Sequence, residues 1–323
     1  MSKTDDQAKV ILEAVEKGTS IAQIRADVST TENEWYRFGS KAYQVALRQA
    51  EKQLNAFLKK PHTSATSNDE IKELIELNIG LANYALCLPA TATMAEFEDV
   101  KKLMPAMPAT EGRVIAFIKG AVMQPRMRIL QKKGRFETLD HFKVFYPLID
   151  AAMLCYYRSN FISCYMTLLP VIEGVIIRWI GYSNEDEKPE FEEIRSFFRK
   201  SPQRHPAPRN ILFHNVYVKA CDKILNDHFY RPTRSGGTAY KNFNRHIAAH
   251  LLTDTHFATQ DNCLRLFILL DMMTEIFLYE SDVKDPRFTL TAEEIGPDIN
   301  RLTQLIFEGI RSPEKEMLGD VQA

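Results

Sequence analysis

The sequence predicts an all-α protein, and three features of its composition and patterning lead to that prediction. Only 13 of the 323 residues are glycine, few for a chain that would need many tight β-turns. Apolar residues recur every three or four positions in long segments, whereas the strict apolar/polar alternation of strands is nearly missing. Apolar residues make up 45% of the chain and charged residues 26%, the balance of an ordinary globular protein.

Charge, cysteine content and hydropathy restrict the class of protein. The net charge of −1 provides no overall basic field, so any RNA contact must come from a local basic patch. The five cysteines form no CxxC pair, which favours free thiols in a reducing, cytoplasmic compartment. The most apolar window, residues 161–180, contains Pro170, Glu173 and Arg178, so it predicts a buried helix and no membrane span.

The helical segments predict three parts. Residues 1–135 form a separate helical N-terminal domain, residues 136–281 a helical bundle, and residues 282–323 a C-terminal helical extension and tail. A basic turn, QKKGR at residues 131–135, marks the first boundary. The order of helices in residues 1–58 also fits a helix-turn-helix DNA reader, but the start of its third helix carries few basic residues, so a plain helical bundle is favoured.

Helix periods and breakers give the individual elements. Outside the bundle, helices are predicted over 69–87, 94–104, 111–131 and 297–310. Within it, helices are predicted over 140–157, 161–179, 190–199, 209–227, 239–252 and 259–281. The first of these bundle helices is expected to turn Phe142, Phe145, Leu148, Ile149 and Met153 inward. The segment SPQRHPAPRN is predicted to be irregular because of its three prolines.

An arginine and a histidine in KNFNRHIAAH are the candidate catalytic pair. Arg245 precedes His250 by five residues, which on a continuous helix separates them by about 140°. Arginine presents a permanently charged planar fork to phosphate, and histidine can move a proton near neutral pH. An arginine followed by a histidine five or six residues later recurs in three other pairs, but these do not directly precede the long apolar helix: Arg135/His141, Arg199/His205 and Arg209/His214.

These segments resemble a known family. RHIAAH with the following helix is similar to the end of HEPN domains, whose ribonucleases carry an R-x4-6-H motif with a polar residue commonly after the arginine. FKVFYPLIDAAMLCYYRSNFISCYMTLLPVIEGVIIRWIG resembles their opening helical hairpin. The resemblance covers roughly residues 136–281 and implies a bundle of four or five helices. It also implies Arg245 and His250 as catalytic residues, Asn244 and His246 as supporting residues, no metal or other cofactor, RNA as substrate, and a homodimer that pairs two motifs.

Other polar residues near the motif allow more than one interpretation. Glu173 interrupts an apolar face, so it either pairs with Arg245 as a supporting residue or reaches solvent or a backbone group. The segment before the motif supplies Arg231, Arg234 and Lys241, which either contact RNA phosphates or are simply solvated.

The spacing of His246 and His250 also suits a zinc site, with Asp254 and His256 nearby. The HxxxH segment lacks the adjacent glutamate of a zinc hydrolase, so the metal-free interpretation is favoured.

Three functions follow from these observations. The first is a metal-independent HEPN endoribonuclease, a toxin or phage-defence effector restrained by the N-terminal domain or by an inhibitory partner. The second is a non-catalytic HEPN module that binds nucleotides or partners. The third, a DNA-binding regulator, depends on residues 1–58 alone.

Overall fold

A computed structural model gives the fold over residues 68–182, 189–232, 240–250, 252, 257–310, 312–313 and 316–317. Over these residues the protein is helical and contains no strand, which confirms the all-α prediction. The possible helix-turn-helix of residues 1–58 lies outside the described residues. The α-helices are α1 (Asn68–Ala82), α2 (Met94–Leu103), α3 (Glu111–Val122), α4 (Pro125–Gln131), α5 (Tyr146–Tyr157), α6 (Phe161–Ile180), α7 (Phe191–Ser196), α8 (Ser201–Arg204), α9 (Ile211–Ile224), α10 (Arg245–Ala249), α11 (Gln260–Glu280) and α12 (Ala292–Gly309).

Helix α11 is the central element. Sixteen of its 21 residues are buried, and it packs against α3, α6 and α9. The side chain of Thr259 caps its start by accepting a hydrogen bond from the Asn262 backbone N–H. A helix that is apolar nearly all round belongs in the core, which explains the unbroken hydrophobic run in the sequence.

Helices α5 and α6 form an antiparallel hairpin that packs on α11 through α6. Asn160 caps α6 by accepting a hydrogen bond of 3.1 Å from the backbone N–H of Ser163. Gly181 ends the helix in the left-handed conformation, with φ 116°, which glycine adopts without steric cost.

Within the described part of the chain, α6 is also long and apolar enough to cross a membrane. In the most apolar window of α6, 44% is buried, and the helix packs against both α5 and α11. A core helix meets the same criteria of length and composition, so this single helix is weak support for a membrane span. Its packing agrees with the buried helix predicted from the sequence.

Buried ion pairs join the residues before 136 to α11. Arg135 is fully buried, so the basic segment that ends there is not an exposed turn. Buried apolar residues from both sides of position 135, the first Leu77 and the last Leu302, belong to one hydrophobic core. The predicted boundary at residue 135 therefore does not separate two cores within the described residues, and it stays a prediction for the chain as a whole. The ion pairs are Glu111–Arg265, Arg128–Asp271 and Arg135–Glu275.

Prolines move two helix boundaries away from the predicted positions. The helix predicted over 140–157 begins only at Tyr146, with a proline in its first turn, where no backbone donor is needed. The helix predicted over 111–131 is interrupted before Pro125, because the residue preceding a proline disfavours helical geometry.

Two other local predictions are wrong. Leu148, predicted to point inward, is 47% exposed on the outer face of α5. The segment predicted to be irregular contains one helical turn, α8, which begins at Ser201 and has a proline in its first turn.

Candidate functional site

The motif segment is broken where the sequence predicted one helix over 239–252. A 3₁₀ turn covers Tyr240–Asn242, and only Arg245–Ala249 forms an α-helix, α10. Lys241 and Asn242 have φ values of 51° and 58°, in the left-handed region that a right-handed helix cannot contain. The prediction of a continuous helix is therefore wrong.

Asn244 fixes the start of α10. Its Oδ1 accepts hydrogen bonds from the backbone N–H groups of His246 and Ile247, at 2.9 and 3.1 Å. Its Nδ2 donates to the carbonyl oxygens of His228 and Arg231, both at 2.9 Å. The side chain is 1% exposed, so it anchors the start of the helix and does not face a substrate.

Arg245 is held by a carboxylate from α6. Its Nε donates a 2.8 Å hydrogen bond to Oε2 of Glu173, so the pairing considered from the sequence is present. The side chain of Arg245 is 33% exposed and that of Glu173 is 18% exposed. Gly174 follows, and the ring of Phe145 comes within 2.7 Å of the point where a Cβ would stand, so only glycine permits this packing beside the ion pair.

The two histidines of the motif lie side by side on the surface. Their ring centroids are 4.5 Å apart, and both residues are exposed. His246 lines a cleft together with Arg245, whereas His250, which follows the last residue of α10, does not line it. Over the described residues, no three His, Cys, Asp or Glu side chains gather closely enough to hold a metal ion. Asp254 and His256 lie outside those residues.

The cleft is the open, cationic feature at the motif. It has a volume of about 390 Å³ and combines three nitrogen-bearing side chains with three aromatic rings. Sequence reasoning named the basic residues but missed the rings, because Phe229-Tyr230 has the pattern of core and Phe191 stands in a charged segment. The lining residues are Phe191, Phe229, Tyr230, Arg231, Pro232, Arg245 and His246.

Of the other two basic residues predicted for RNA contact, Lys241 is described and does not line the cleft. The Lys241 side chain is 62% exposed, and its Nζ lies 3.5 Å from Oε2 of Glu111. Asn262 Nδ2 donates to the Lys241 carbonyl at 2.9 Å, which holds the left-handed turn in place. Arg234 lies outside the described residues.

The competing pair Arg209/His214 does not form a comparable site. His214 is 3% exposed, and its Nε2 lies 2.9 Å from Oε1 of Glu280. Arg209 instead donates through Nη1 to the carbonyl oxygen of Val283. Because the two side chains have separate partners and the histidine is buried, this pair lacks an open surface for a phosphate.

Fold and site together define an all-α protein with a cationic, aromatic-lined cleft beside an arginine–histidine motif. Comparison with protein-family models, with curated proteins and with solved structures found no match to this chain.

Proposed function

We propose that this protein is a metal-independent endoribonuclease of the HEPN type. The observation that carries the proposal is the position of Arg245, which Glu173 holds at the rim of an open cleft next to His246. Glu173 accepts a hydrogen bond only from Nε of Arg245, and the two terminal guanidinium nitrogens of Arg245 make no hydrogen bond to any described residue. They are therefore available to the oxygens of a phosphate.

The proposed reaction uses the arginine and the histidines of the motif. A histidine removes the proton of the ribose 2′-hydroxyl, and the 2′-oxygen attacks the adjacent phosphorus while the 5′-oxygen leaves and takes up a proton. Arg245 neutralises the charge that builds up on the phosphate oxygens. The products are a 2′,3′-cyclic phosphate and a 5′-hydroxyl, and DNA is resistant because it has no 2′-hydroxyl.

A homodimer is part of the proposal because one chain does not bring Arg245 and His250 into the same cleft. Met166, Pro170 and Glu173 lie at i, i+4 and i+7 on α6, so an exposed apolar strip leads to the Arg245–Glu173 pair. A two-fold axis beside this strip and α10 would bring the two motifs together. Met166→Glu should then give a monomer in light scattering and abolish cleavage, whereas a monomeric wild-type protein that cleaves RNA would contradict the dimer.

The alternative is a non-catalytic HEPN module that binds nucleotides or partners and uses Arg245 for structure. It would be favoured if Arg245 and His250 were both buried away from any cleft. Arg245 lines the cleft and His250 is exposed, so the catalytic proposal is the better supported.

The decisive experiment incubates the purified protein with mixed RNAs in the presence of EDTA, beside the double variant Arg245→Ala/His250→Ala. We expect cleavage by the wild type alone, with 5′-hydroxyl ends. Arg209→Ala is the matched control, because its guanidinium belongs to the competing pair and lies on the surface. Cleavage that EDTA abolishes, or that survives in the double variant, would refute the proposal.

The cellular role we propose is that of a cytoplasmic toxin or phage-defence effector. All five cysteines are free, as a reducing compartment requires. Residues 1–135 or a separate inhibitory partner would restrain the nuclease. Expression of the wild type should slow the growth of the cells that produce it, and the double variant Arg245→Ala/His250→Ala should not. Equal growth inhibition by both would contradict this role.

A further inference from the structure

The cleft contains an aromatic platform that the cleavage chemistry does not use. Phe191, the first residue of α7, is 46% exposed. The ring of Tyr230 is perpendicular to it, with the centroids 5.3 Å apart and the planes at 90°, and the Arg195 guanidinium lies over the Phe191 ring, 5.9 Å from its centroid. Tyr230 is itself only 4% exposed, so the exposed ring rests on a fixed one. An exposed aromatic ring with a rigid support is suited to stack a planar ligand group.

The charges around this platform favour an anionic ligand. Arg231, Arg245 and His246 line the cleft, and no acidic residue is among the described lining residues. Glu190 and Glu192 flank Phe191 in sequence and Glu173 is paired with Arg245, but none of the three lines the cleft, and the Glu192 carboxylate is 3.5 Å from Arg195. A planar group on Phe191 and an anion on the two arginines together describe a nucleotide.

The floor of the cleft contains a buried tyrosine hydroxyl. The Tyr230 hydroxyl is buried and has no hydrogen-bond partner among the described residues. Burial raises its pKa well above 10, and the charges of Glu173 and Arg245 act on it, so the hydroxyl is a neutral donor beside the ion pair. The hydroxyls of the core residues Tyr156 and Tyr165 also have no hydrogen-bond partner in the described part of the chain, so the assignment of a ligand rests on the exposed ring and on the charges.

We infer that the cleft is the binding subsite for one nucleotide of single-stranded RNA. Its base stacks on Phe191, and its phosphate lies against Arg231 and Arg245. The inference rests on the proposed function and names the substrate as unpaired RNA. A base must leave its helix to stack on a side chain, so a duplex should not occupy the platform.

The test measures binding without cleavage. A fluorescein-labelled single-stranded RNA with 2′-O-methyl on every ribose has no nucleophile, and its Kd follows from fluorescence anisotropy. Phe191→Ala should weaken binding on the order of 5- to 100-fold, the effect of losing one stacked base. Phe191→Leu, which keeps apolar packing on Tyr230 without a π face, should weaken it similarly. Phe191→Tyr should bind like the wild type. Phe288→Ala, an exposed ring outside the cleft, is the matched control.

Salt dependence tests the phosphate contact separately. Arg231→Ala should reduce the slope of log K against log salt by roughly 0.7, the value for one phosphate contact on a single strand. Arg209→Ala should leave the slope unchanged. Equal slopes for Arg231→Ala and the wild type would remove Arg231 from the inferred subsite.

The outcomes separate this inference from the proposed function. If Phe191→Ala weakens binding of the methylated strand but the wild type leaves unmodified RNA intact, the subsite stands and the nuclease proposal fails. If the wild type cleaves RNA while Phe191→Ala and Phe191→Leu bind as tightly as Phe288→Ala, the nuclease proposal stands and the subsite is overturned. Failure of the wild type to bind the methylated strand, or equal affinity for its duplex, overturns the subsite as well.

Discussion

Arg245 and Glu173 lie 72 residues apart in sequence, and their side chains meet through a 2.8 Å hydrogen bond from Nε to Oε2. The carboxylate comes from the middle of α6 and the guanidinium from the first residue of α10. The contact occupies Nε, and the terminal nitrogens of Arg245, which lines the cleft, make no hydrogen bond to a described residue. In the nuclease that we propose, Glu173 positions Arg245, so its removal should change the turnover of substrate more than its binding.

We expect Glu173→Gln to lower kcat for RNA cleavage on the order of 10²-fold with little change in KM, because a misplaced guanidinium no longer meets the transition state. Steady-state kinetics on a short fluorogenic RNA would measure both constants. Asp282→Asn, which alters an exposed pair with Arg209, should leave both unchanged. A rise in KM alone would show that Glu173 does not act through orientation.

Replacement of Arg245 by lysine should be nearly as harmful as replacement by alanine. Lysine keeps the charge but cannot bind Glu173 and phosphate simultaneously with a planar fork. Initial rates of Arg245→Lys and Arg245→Ala should agree to within about tenfold, while Arg209→Lys cleaves like the wild type. Wild-type rates for Arg245→Lys would mean that charge alone suffices.

His250→Ala should slow cleavage roughly 10²–10⁴-fold, the usual contribution of one acid–base group. Because His250 is exposed, thermal unfolding should be unaffected. His246→Ala provides the comparison, since its ring lies 4.5 Å away and lines the cleft. If only His246→Ala loses activity, the acid–base role belongs to His246.

Asn244→Ala should lower the free energy of unfolding by about 1–3 kcal/mol, because it removes a helix cap and leaves two backbone carbonyls without their donor. Urea unfolding followed by circular dichroism would measure the change. Asn83→Ala, at an exposed helix end, should stay within about 0.5 kcal/mol of the wild type. Equal stability of the two variants would contradict the anchoring role of Asn244.

Acid should destabilise the protein through Glu280. Its carboxylate is 3% exposed and lies 2.9 Å from His214 and 3.2 Å from His205. Burial alone would raise its pKa, but these histidines outweigh burial and lower it from 4.5 to about 2. A carboxylate whose pKa is lower in the folded than in the unfolded protein stabilises the fold at pH values above the unfolded-state pKa. About 3 kcal/mol is therefore lost as the pH falls from about 5 to 2.

Unfolding free energies measured across that pH range should fall less steeply for Glu280→Gln than for the wild type. Only the slope is compared, because the substitution also alters a buried hydrogen bond. The variant should still lose some stability in acid, because the pKa of Asp285 is also lowered to about 2 despite its partial burial. Identical slopes for the two proteins would contradict the role of Glu280.

The fragment 136–281 should not fold alone, although the sequence resemblance covers it. Its α11 would carry Arg265, Asp271 and Glu275 without the buried partners that residues before 136 supply, at about 3–5 kcal/mol for each uncompensated charge. Circular dichroism should report no cooperative thermal transition for the fragment, in contrast to the full chain. A cooperative transition would restore the predicted domain boundary.

The sequence by itself determined the fold class and the longest helices. Apolar periodicity located α6 and α11 to within two residues, because a long amphipathic or fully apolar run has only one stable way to satisfy its backbone. It also offered pairing with Arg245 as one of two explanations for Glu173, an acid on an apolar face, and the structure contains that pair. These features follow from the order of apolar and polar residues over short stretches of chain, which can be read directly from the sequence.

Only the tertiary structure decided the break before α10, the use of Asn244 as an internal anchor and the aromatic wall of the cleft. Lys241 and Asn242 adopt left-handed geometry in a turn held by a hydrogen bond from Asn262, a residue 21 positions away. Phe191 and Tyr230 meet across 39 residues. Such contacts outweigh helix propensity because each propensity is worth only tenths of a kcal/mol per residue, less than one satisfied buried hydrogen bond.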